Sequence, residues 1–407
     1  MSIDGFVFTD GPLNREIRGL QSKFHYSVDI VARLSFYYTV FRAARIISAL
    51  RRPPRYVAVR VNTLNTTPEK VLDKIRAAGI DIRPSKVFDD VLLVKVEGPF
   101  DIPIVDKKII AKDKSAEGVY LGANLYMPGV LRMDSGINVG DYVNIVTRFG
   151  DVVGYGESKI ASGEKAHKGA VVEITKSVYK MPNLKTLRTF ILGDAYTASL
   201  GTTQALRWLA PERNENVLVI SPNVEDLVYL VQLMGGPSEN IKVVSKTDLE
   251  DFKLKENLRK LKLEKWEEKL KFYIVDYRTL KFPPESFDAI YVTPRNSKIG
   301  IRPRLSVTIT ENEILALNRD MKILLGNVVQ SLKQDGRLLF NTFSLDPAEG
   351  EFVLKYLVET WKLEPVTKRY RWGSSGISDI PYGEKSLRVY PDVHDDHGYF
   401  AALLKRD

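Results

Sequence analysis

VLVIS (217–221), followed at intervals by IKVVS (241–245), FYIVD (272–276), FDAIYVTP (287–294) and GRLLFNTFS (336–344), decides the fold of this chain. Each run is short, apolar and rich in β-branched and aromatic residues, and a polar or helical segment follows each. That is the pattern of parallel strands buried on both faces with crossover helices between them, an α/β sheet of the Rossmann-like type. In such sheets ligands sit beyond the carboxyl ends of the strands. The chemistry is therefore expected where these runs end, and few side chains there can do chemistry.

The segments around the core runs fill in the plan. ALRWLAPERNENVLVIS (205–221) reads as a helix, a turn and the first strand, and a charged helix is expected from Asp248 to Lys271. Its acids and bases alternate, the mark of a solvated face with i,i+4 pairs. ENEILALNRDMKILLGNVVQSLKQDG (311–336) reads as one amphipathic helix ended by Gly336. At the other end of the chain, residues 1–50 look helical, and 33–52 reads as a single amphipathic helix stopped by Pro53-Pro54. Arg51, Arg52 and Arg55 follow as candidate RNA contacts, against the plainer reading of solvated arginines. A small βαβ-like unit comes next: strand 56–64, a helix opened by Pro68 and closed at Gly79, and strand 91–98.

Between residues 106 and 176 the pattern changes to short strands separated by glycine turns, as in a small β-barrel. Lys107, Lys108, Lys112, Lys114, Arg132 and Arg148 give it a basic side. GANLYMPGV (122–130), GDYV (140–143), GDVVGYGES (150–158) and KGAVVEI (168–174) resemble a PUA domain, a small RNA-binding pseudobarrel. The resemblance implies that Gly122, Ala123, Asn124 and Tyr126 touch RNA, with Lys108, Lys112 and Arg132 on the basic face. The expected domains are 1–105, helical plus an RRM-like α+β segment; 106–176, the PUA barrel; and 177–407, the Rossmann-like sheet.

Composition narrows the function. Lys and Arg number 60 against 51 Asp and Glu, a formal net charge of +9, which suits a polyanionic partner. There is no cysteine. This excludes disulfides, thiolate metal sites and a cysteine nucleophile. Of the four histidines (His25, His167, His394 and His397), only His394 and His397 have a spacing that offers a ligand pair, and a turn or core role competes with it. No metal is expected. The N-terminus lacks the basic and apolar regions of a signal peptide, and no apolar run has the length of a membrane span, so a cytoplasmic protein without membrane contact is expected.

Over nearly the whole length the chain resembles the Sun-type RNA cytosine-5 methyltransferases, in the branch with an inserted PUA domain, whose members act on tRNA. VRVNTL (59–64), KLKENLRKLKL (253–263), FDAIYVTPRNSKIGIRPRL (287–305), GRLLFNTFSLDPAEGE (336–351) and RVYPDVHDDHGYFAALLKR (388–406) carry the resemblance. Such an enzyme adds a cysteine thiolate to C6 of cytosine so that C5 can take the methyl group of S-adenosylmethionine, and a second cysteine assists release. The nucleophile must be polarisable and ionisable near neutral pH. Aligned with that pattern, the two cysteine positions are Asn296 and Phe343, and the acidic residue that assists at cytosine N3 falls at Thr293. The glycine-rich cofactor loop is replaced by VISPNVEDLV (219–228), with Glu225 and Asp226 where the turn should be open. Ser245 replaces the ribose-binding carboxylate, while Asp276 is retained. Ser221, Ser245 and Asp276 are thus vestiges of a cofactor site.

Hyperthermophilic chains often avoid cysteine, giving this one an archaeal-like, thermophile-like character, but that does not explain the lost glycines and carboxylate. The expectation is an RNA-binding pseudoenzyme for tRNA or rRNA, without a cofactor, serving as a scaffold or specificity subunit, with an active paralogue as a candidate partner. Arg295, Lys298, Arg302 and Arg304, with Lys180 and Lys185, would line its basic cleft; for Arg302 and Arg304 structural ion pairs compete with RNA contact. Two alternatives stand beside it. One is a methyltransferase that uses S-adenosylmethionine in a rebuilt pocket, with Asp276 and Asn296 as key residues. The other is a ribosome-biogenesis factor that binds protein.

Overall fold

A computed structural model describes residues 12–164, 169–367 and 370–407; His167 and Lys168 lie outside them. Helices α1 (Pro12–Phe24), α2 (Val28–Tyr38) and α3 (Val40–Leu50) open the described chain. The single helix expected over 33–52 is in fact two. Thr39 takes φ +66° and its hydroxyl accepts from Arg42 N–H, so it caps α3 instead of continuing α2. The break lets Ile30, Val31 and Leu34 of α2 and Ile46, Ile47 and Leu50 of α3 converge on one core, closed by Val307 and Leu345.

β1 (Tyr56–Val61), α4 (Pro68–Ala77), β2 (Ile82–Pro84) and β3 (Val91–Lys95) form the next unit. Its strands pair antiparallel, not as a parallel βαβ unit, and its fourth strand comes from beyond residue 177. The barrel follows with β4 (Lys108–Ala111), α5 (Asp113–Tyr120), β5 (Leu125–Tyr126), β6 (Val130–Met133), β7 (Tyr142–Val146), β8 (Val152–Ser158) and β9 (Ala170–Ser177). Strand order is β5-β9-β8-β7-β4-β6. Helix α5 corrects the expectation of strands alone: Ala116 and Val119 face the barrel core one turn apart, beside Ile109, Val143 and Ile145. Gly156 is required where β8 meets β9, because a Cβ there would stand 2.2 Å from Glu173 O.

The remaining chain runs through α6 (Arg188–Ile191), β10 (Ala195–Ala198), α7 (Leu200–Leu209), β11 (Val217–Ile220), α8 (Val224–Leu233), β12 (Ile241–Ser245), α9 (Asp248–Lys260), β13 (Lys271–Ile274) and β14 (Phe287–Val292). It continues through α10 (Glu311–Val329), β15 (Leu332–Thr342), α11 (Glu351–Trp361), β16 (Glu364–Pro365), β17 (Ser374–Ser375), β18 (Leu387–Val389), α12 (Pro391–His394) and β19 (Tyr399–Lys405). β10 completes the small sheet. The large sheet runs β13-β12-β11-β14-β15-β19-β18-β17, parallel from β13 to β15 and antiparallel from β19 onward. Core clusters cover both of its faces, as the unbroken apolar runs require.

Two helices are shorter than expected. α9 stops at Lys260 because Leu263 and Trp266 fold back onto the core that Leu258 of the helix already packs on. α10 stops at Val329 because Leu332 pairs with Phe287, which starts β15 four residues before Gly336. Chain order reverses at β11: β12 and β13 lie on one side of it, β14 and β15 on the other. That reversal opens a crevice past the ends of β11 and β14.

Candidate functional site

The crevice is a cavity of about 940 Å³. Its floor is built from the strand ends: Ser221 after β11, Ser245 at the end of β12, Asp276 after β13, and Thr293 to Asn296 after β14. Thr197 to Ser199 and Thr202 form one wall, Ile323 and Leu324 of α10 another, and Phe343 and His397 close the back. The barrel reaches the mouth through Leu121 and Met181. A second groove, of about 740 Å³, shares Pro53, Pro54, Val96 and Arg302 with the first and runs along α3 past Arg45, Arg52 and Arg55.

Neither cysteine position offers a nucleophile. Asn296 is 9% exposed. Its amide donates to Pro294 O at 3.0 Å and accepts from Lys298 N–H at 3.0 Å, so it closes a tight turn in which Lys298 has φ +56°. The Phe343 ring lies against Tyr399 with centroids 5.2 Å apart and closes the space beside His397. Buried Glu349 ties the two loops together. Its Oε2 accepts from Ser297 Oγ at 2.5 Å and Ser344 Oγ at 2.6 Å, and its Oε1 from Ser297 N–H at 2.7 Å. Burial pushes its carboxyl up to about 7. The sequence reading missed Glu349, although it lies within the matched 336–351 stretch. Acid-rich loop sequence does not reveal which carboxylate turns inward.

At the N-terminus of α8, Asn223 Oδ1 caps Asp226 N–H at 2.7 Å. Asp226 is 3% exposed and accepts from Tyr291 Oη at 2.8 Å; burial pushes its carboxyl up to about 7. Burial also raises the Glu225 carboxyl, which lines the cavity. Arg60 of β1, wholly buried, props this turn from behind. It donates to Glu225 O at 3.2 Å and Thr203 Oγ1 at 2.7 Å, and its guanidinium lies 3.8 Å from the Tyr229 ring centroid. A helix N-terminus ordinarily receives an anion from a ligand. Here the chain's own acids occupy that end.

These residues can be tested against the nucleoside cofactor implied by the fold. Ser245 and Asp276 end neighbouring strands, and Leu254, Ile323 and Leu324 supply apolar walls, so the space between them suits a nucleoside. Asp276 Oδ1 accepts from Arg278 N–H at 3.0 Å, which fixes its turn. The amino-acid half of S-adenosylmethionine does not fit as well, because its carboxylate would meet Glu225 and Asp226 at a helix end that offers no glycine backbone.

The structure separates the sequence candidates. Arg295 and Lys298 are exposed at the cavity mouth. Arg302 is a correction: it is buried, and its guanidinium donates to Ala49 O, Arg52 O, Pro53 O and Asp396 O and pairs with Asp395 at 3.1 Å, so no face is left for RNA. Arg51 is likewise engaged, by Phe24 O, Leu305 O and Asp151. Arg304 is half-buried beside Tyr26 and Glu117, with its Nε sealed from solvent. On the barrel, Lys108, Lys112, Gly122, Ala123, Tyr126 and Arg132 are exposed, and Lys112 Nζ donates to Pro128 O at 2.7 Å. Asn124 holds the barrel instead, accepting from Ile174 N–H at 2.9 Å. Arg148 pairs with Asp113 and Lys107 with Asp141.

Both candidate histidines have protein partners. His394 Nδ1 accepts from Tyr390 N–H at 2.9 Å and its Nε2 meets Ser374 Oγ at 3.0 Å. His397 Nδ1 accepts from Arg302 N–H at 3.1 Å, and burial lowers its pKa, so its ring is neutral with the proton on Nε2. Among the described residues no cluster of side chains could hold a metal ion, and no helix is long and apolar enough to cross a membrane.

The profile of the 16S rRNA methyltransferase RsmB/F family matches residues 206–405, and that of the PUA domain matches residues 107–178. The tRNA (cytosine(72)-C(5))-methyltransferase of Pyrococcus horikoshii is 29% identical over 372 residues, covering 89% of this chain and 92% of the relative. Human tRNA (cytosine(72)-C(5))-methyltransferase NSUN6 is 23% identical over 390 residues, 85% of this chain and 81% of the relative. The crystal structure of NSun6 from Pyrococcus horikoshii with SFG superposes with a TM-score of 0.84 at 26% identity, covering 94% of this chain and 99% of that one.

Proposed function

Since the chain belongs to the Sun-type RNA cytosine-5 methyltransferase family with a PUA domain, we propose that it binds tRNA across the barrel and the cavity mouth and does not methylate cytosine C5 by the family's thiolate route. The observation that carries this reading is chemical. With no cysteine in the chain and Asn296 and Phe343 at the two positions, no side chain at the site can form and then release the C6 adduct. RNA contact is supported by the exposed basic residues of the barrel, by Arg295 and Lys298, and by the tRNA substrates named for the relatives. In this reading the protein is a scaffold or specificity subunit, and an active paralogue is the partner it would serve.

A second reading has its own support. The relatives are named as methyltransferases, a relative's structure holds SFG, and the cavity here remains open and large enough for a ligand. Methyl transfer to a nitrogen, which needs no covalent adduct, would satisfy both the open cavity and the missing thiols. Gel-shift titration with total tRNA, followed by mass spectrometry of nucleosides from tRNA incubated with protein and S-adenosylmethionine, decides between them. Tight tRNA binding without any new methylated nucleoside is expected. New 5-methylcytosine would overturn the proposal, and a new N-methylated nucleoside would replace it with the second reading.

A further inference from the structure

We propose that the groove along α3 is a further RNA surface, which takes a single-stranded segment of the RNA held at the cavity mouth. The inference rests on the reading that the chain binds tRNA, and it adds a surface apart from the barrel and the mouth. Its first support is the division of α3 into two faces. One face buries Ala43, Ile46, Ile47 and Leu50 in the core. The other carries Phe41, Arg45 and Ser48, and Arg52 continues the line just past the helix end; all four lie in the groove wall. Their i, i+4, i+7, i+11 spacing keeps them on one side. Phe41 is 75% exposed, more than any other large apolar side chain among the described residues. An open ring one turn from an arginine is a stacking platform for an unpaired base.

Charge is the second, independent support. The groove wall carries Lys23, Arg45, Arg52, Arg55 and Arg302 against two carboxylates, Asp392 and Asp395. Asp395 is matched from inside by buried Arg302 at 3.1 Å, and Arg55 reaches it at 2.8 Å. The Asp392 side chain is 4% exposed, with Arg42 at 3.8 Å and Arg45 at 3.5 Å. Arg52 rests on Ser48 of its own helix, in solvent. Lys23, Arg45, Arg52 and Arg55 are all exposed, so the groove stays positive with both of its acids accounted for. Guanidinium forks suit phosphate.

Shape and position select the occupant. A duplex keeps its bases paired and stacked inside, so it would offer a concavity of about 740 Å³ only phosphate and ribose and leave Phe41 and Val393 without an apolar partner. A single strand offers phosphates and base faces together. The groove also shares Pro53, Pro54, Val96 and Arg302 with the cavity, so one strand can pass from one to the other. An acidic protein segment would match the charge, but it has no reason to continue into a mouth that the proposed function gives to RNA.

Fluorescence anisotropy of a labelled octauridylate, titrated with the full chain at several salt concentrations, tests this. Wild type should bind it more tightly than a blunt RNA duplex of equal charge. Phe41→Ala should weaken binding about ten-fold at an unchanged salt slope, because a base loses its stacking partner and no charge is removed. Arg45→Ala with Arg52→Ala should lower the slope of log affinity against log salt by about 1.4, at roughly 0.7 per phosphate of a single strand. Phe41 is exposed, so its loss spares the core and keeps the test open if the arginine pair folds poorly. No binding of octauridylate, binding that neither variant changes, or equal or tighter binding of the duplex would each overturn the inference. Displacement by poly-glutamate as readily as by unlabelled octauridylate would also overturn it and make the groove a protein dock. If total tRNA binds and neither variant weakens it, this inference fails and the proposed function stands. If tRNA does not bind while octauridylate binds through Phe41, the proposed function fails and the groove remains a single-strand site for another RNA.

Discussion

At Asp226 burial decides the chemistry. A carboxyl ordinarily at 3.8 is pushed up to about 7. Between those values the folded chain holds a proton that the unfolded chain has already released. Stability therefore falls as pH rises through that window, and the loss is complete above about 7. Asp226→Asn removes the ionisation while keeping an acceptor for Tyr291. It should melt several degrees higher than wild type at pH 8, and the gap should close toward pH 4 in thermal scans; a constant gap would show that the carboxyl ionises as freely folded as unfolded. Such residues show how far sequence reaches. The vacated positions Asn296 and Phe343 are legible because they depend only on residue identity. The burial of Arg302 and Glu349 is not, since an Arg between two Pro-containing loops reads the same whether its donors face RNA or Ala49, Arg52 and Pro53.

Among the elements, the barrel holds the exposed charge. Lys108 and Arg132 lie on or beside adjacent strands β4 and β6, which pair antiparallel, and Lys112 starts the connection into α5. All three are solvent-facing, so each can meet a phosphate and release a counterion. Lys108→Ala, Lys112→Ala and Arg132→Ala together should weaken tRNA binding and lower the slope of log affinity against log salt by about 2 to 3. Weaker binding at an unchanged slope would place the phosphates elsewhere. Strand runs are readable here because short apolar segments are separated by glycine turns, as at Gly140, Gly150 and Gly169, each with positive φ. α5 is not, because its eight residues include Gly118 and carry only two buried apolar positions, Ala116 and Val119. Likewise Thr39 gives no local sign of a break, since a β-branched residue with positive φ is held there by the packing of α2 and α3 on a shared core.

For the whole molecule the question is how a barrel, three helices and a nine-stranded sheet hold one geometry toward a large, rigid RNA. Arg51 sits at their junction. From the end of α3 it donates to Phe24 O at the end of α1, to Leu305 O in the loop beyond β14, and to Asp151 just before β8, where His25 also stacks on Phe149 with ring centroids 4.3 Å apart. A net charge of +9 draws RNA from a distance, but alignment of barrel and cavity requires these bonds. Arg51→Ala therefore separates alignment from attraction. Its guanidinium is engaged inside the protein, so its loss removes no phosphate contact, and the salt slope of tRNA binding should stay at the wild-type value while affinity falls several-fold. Hydrogen exchange should quicken in residues 22–27 and 147–153 and remain unchanged in β11 and β14. A lower slope in this variant would mean that Arg51 turns outward to meet RNA. Unchanged affinity would mean that the barrel binds tRNA independently of the sheet, and the cavity mouth would then lose its part in recognition.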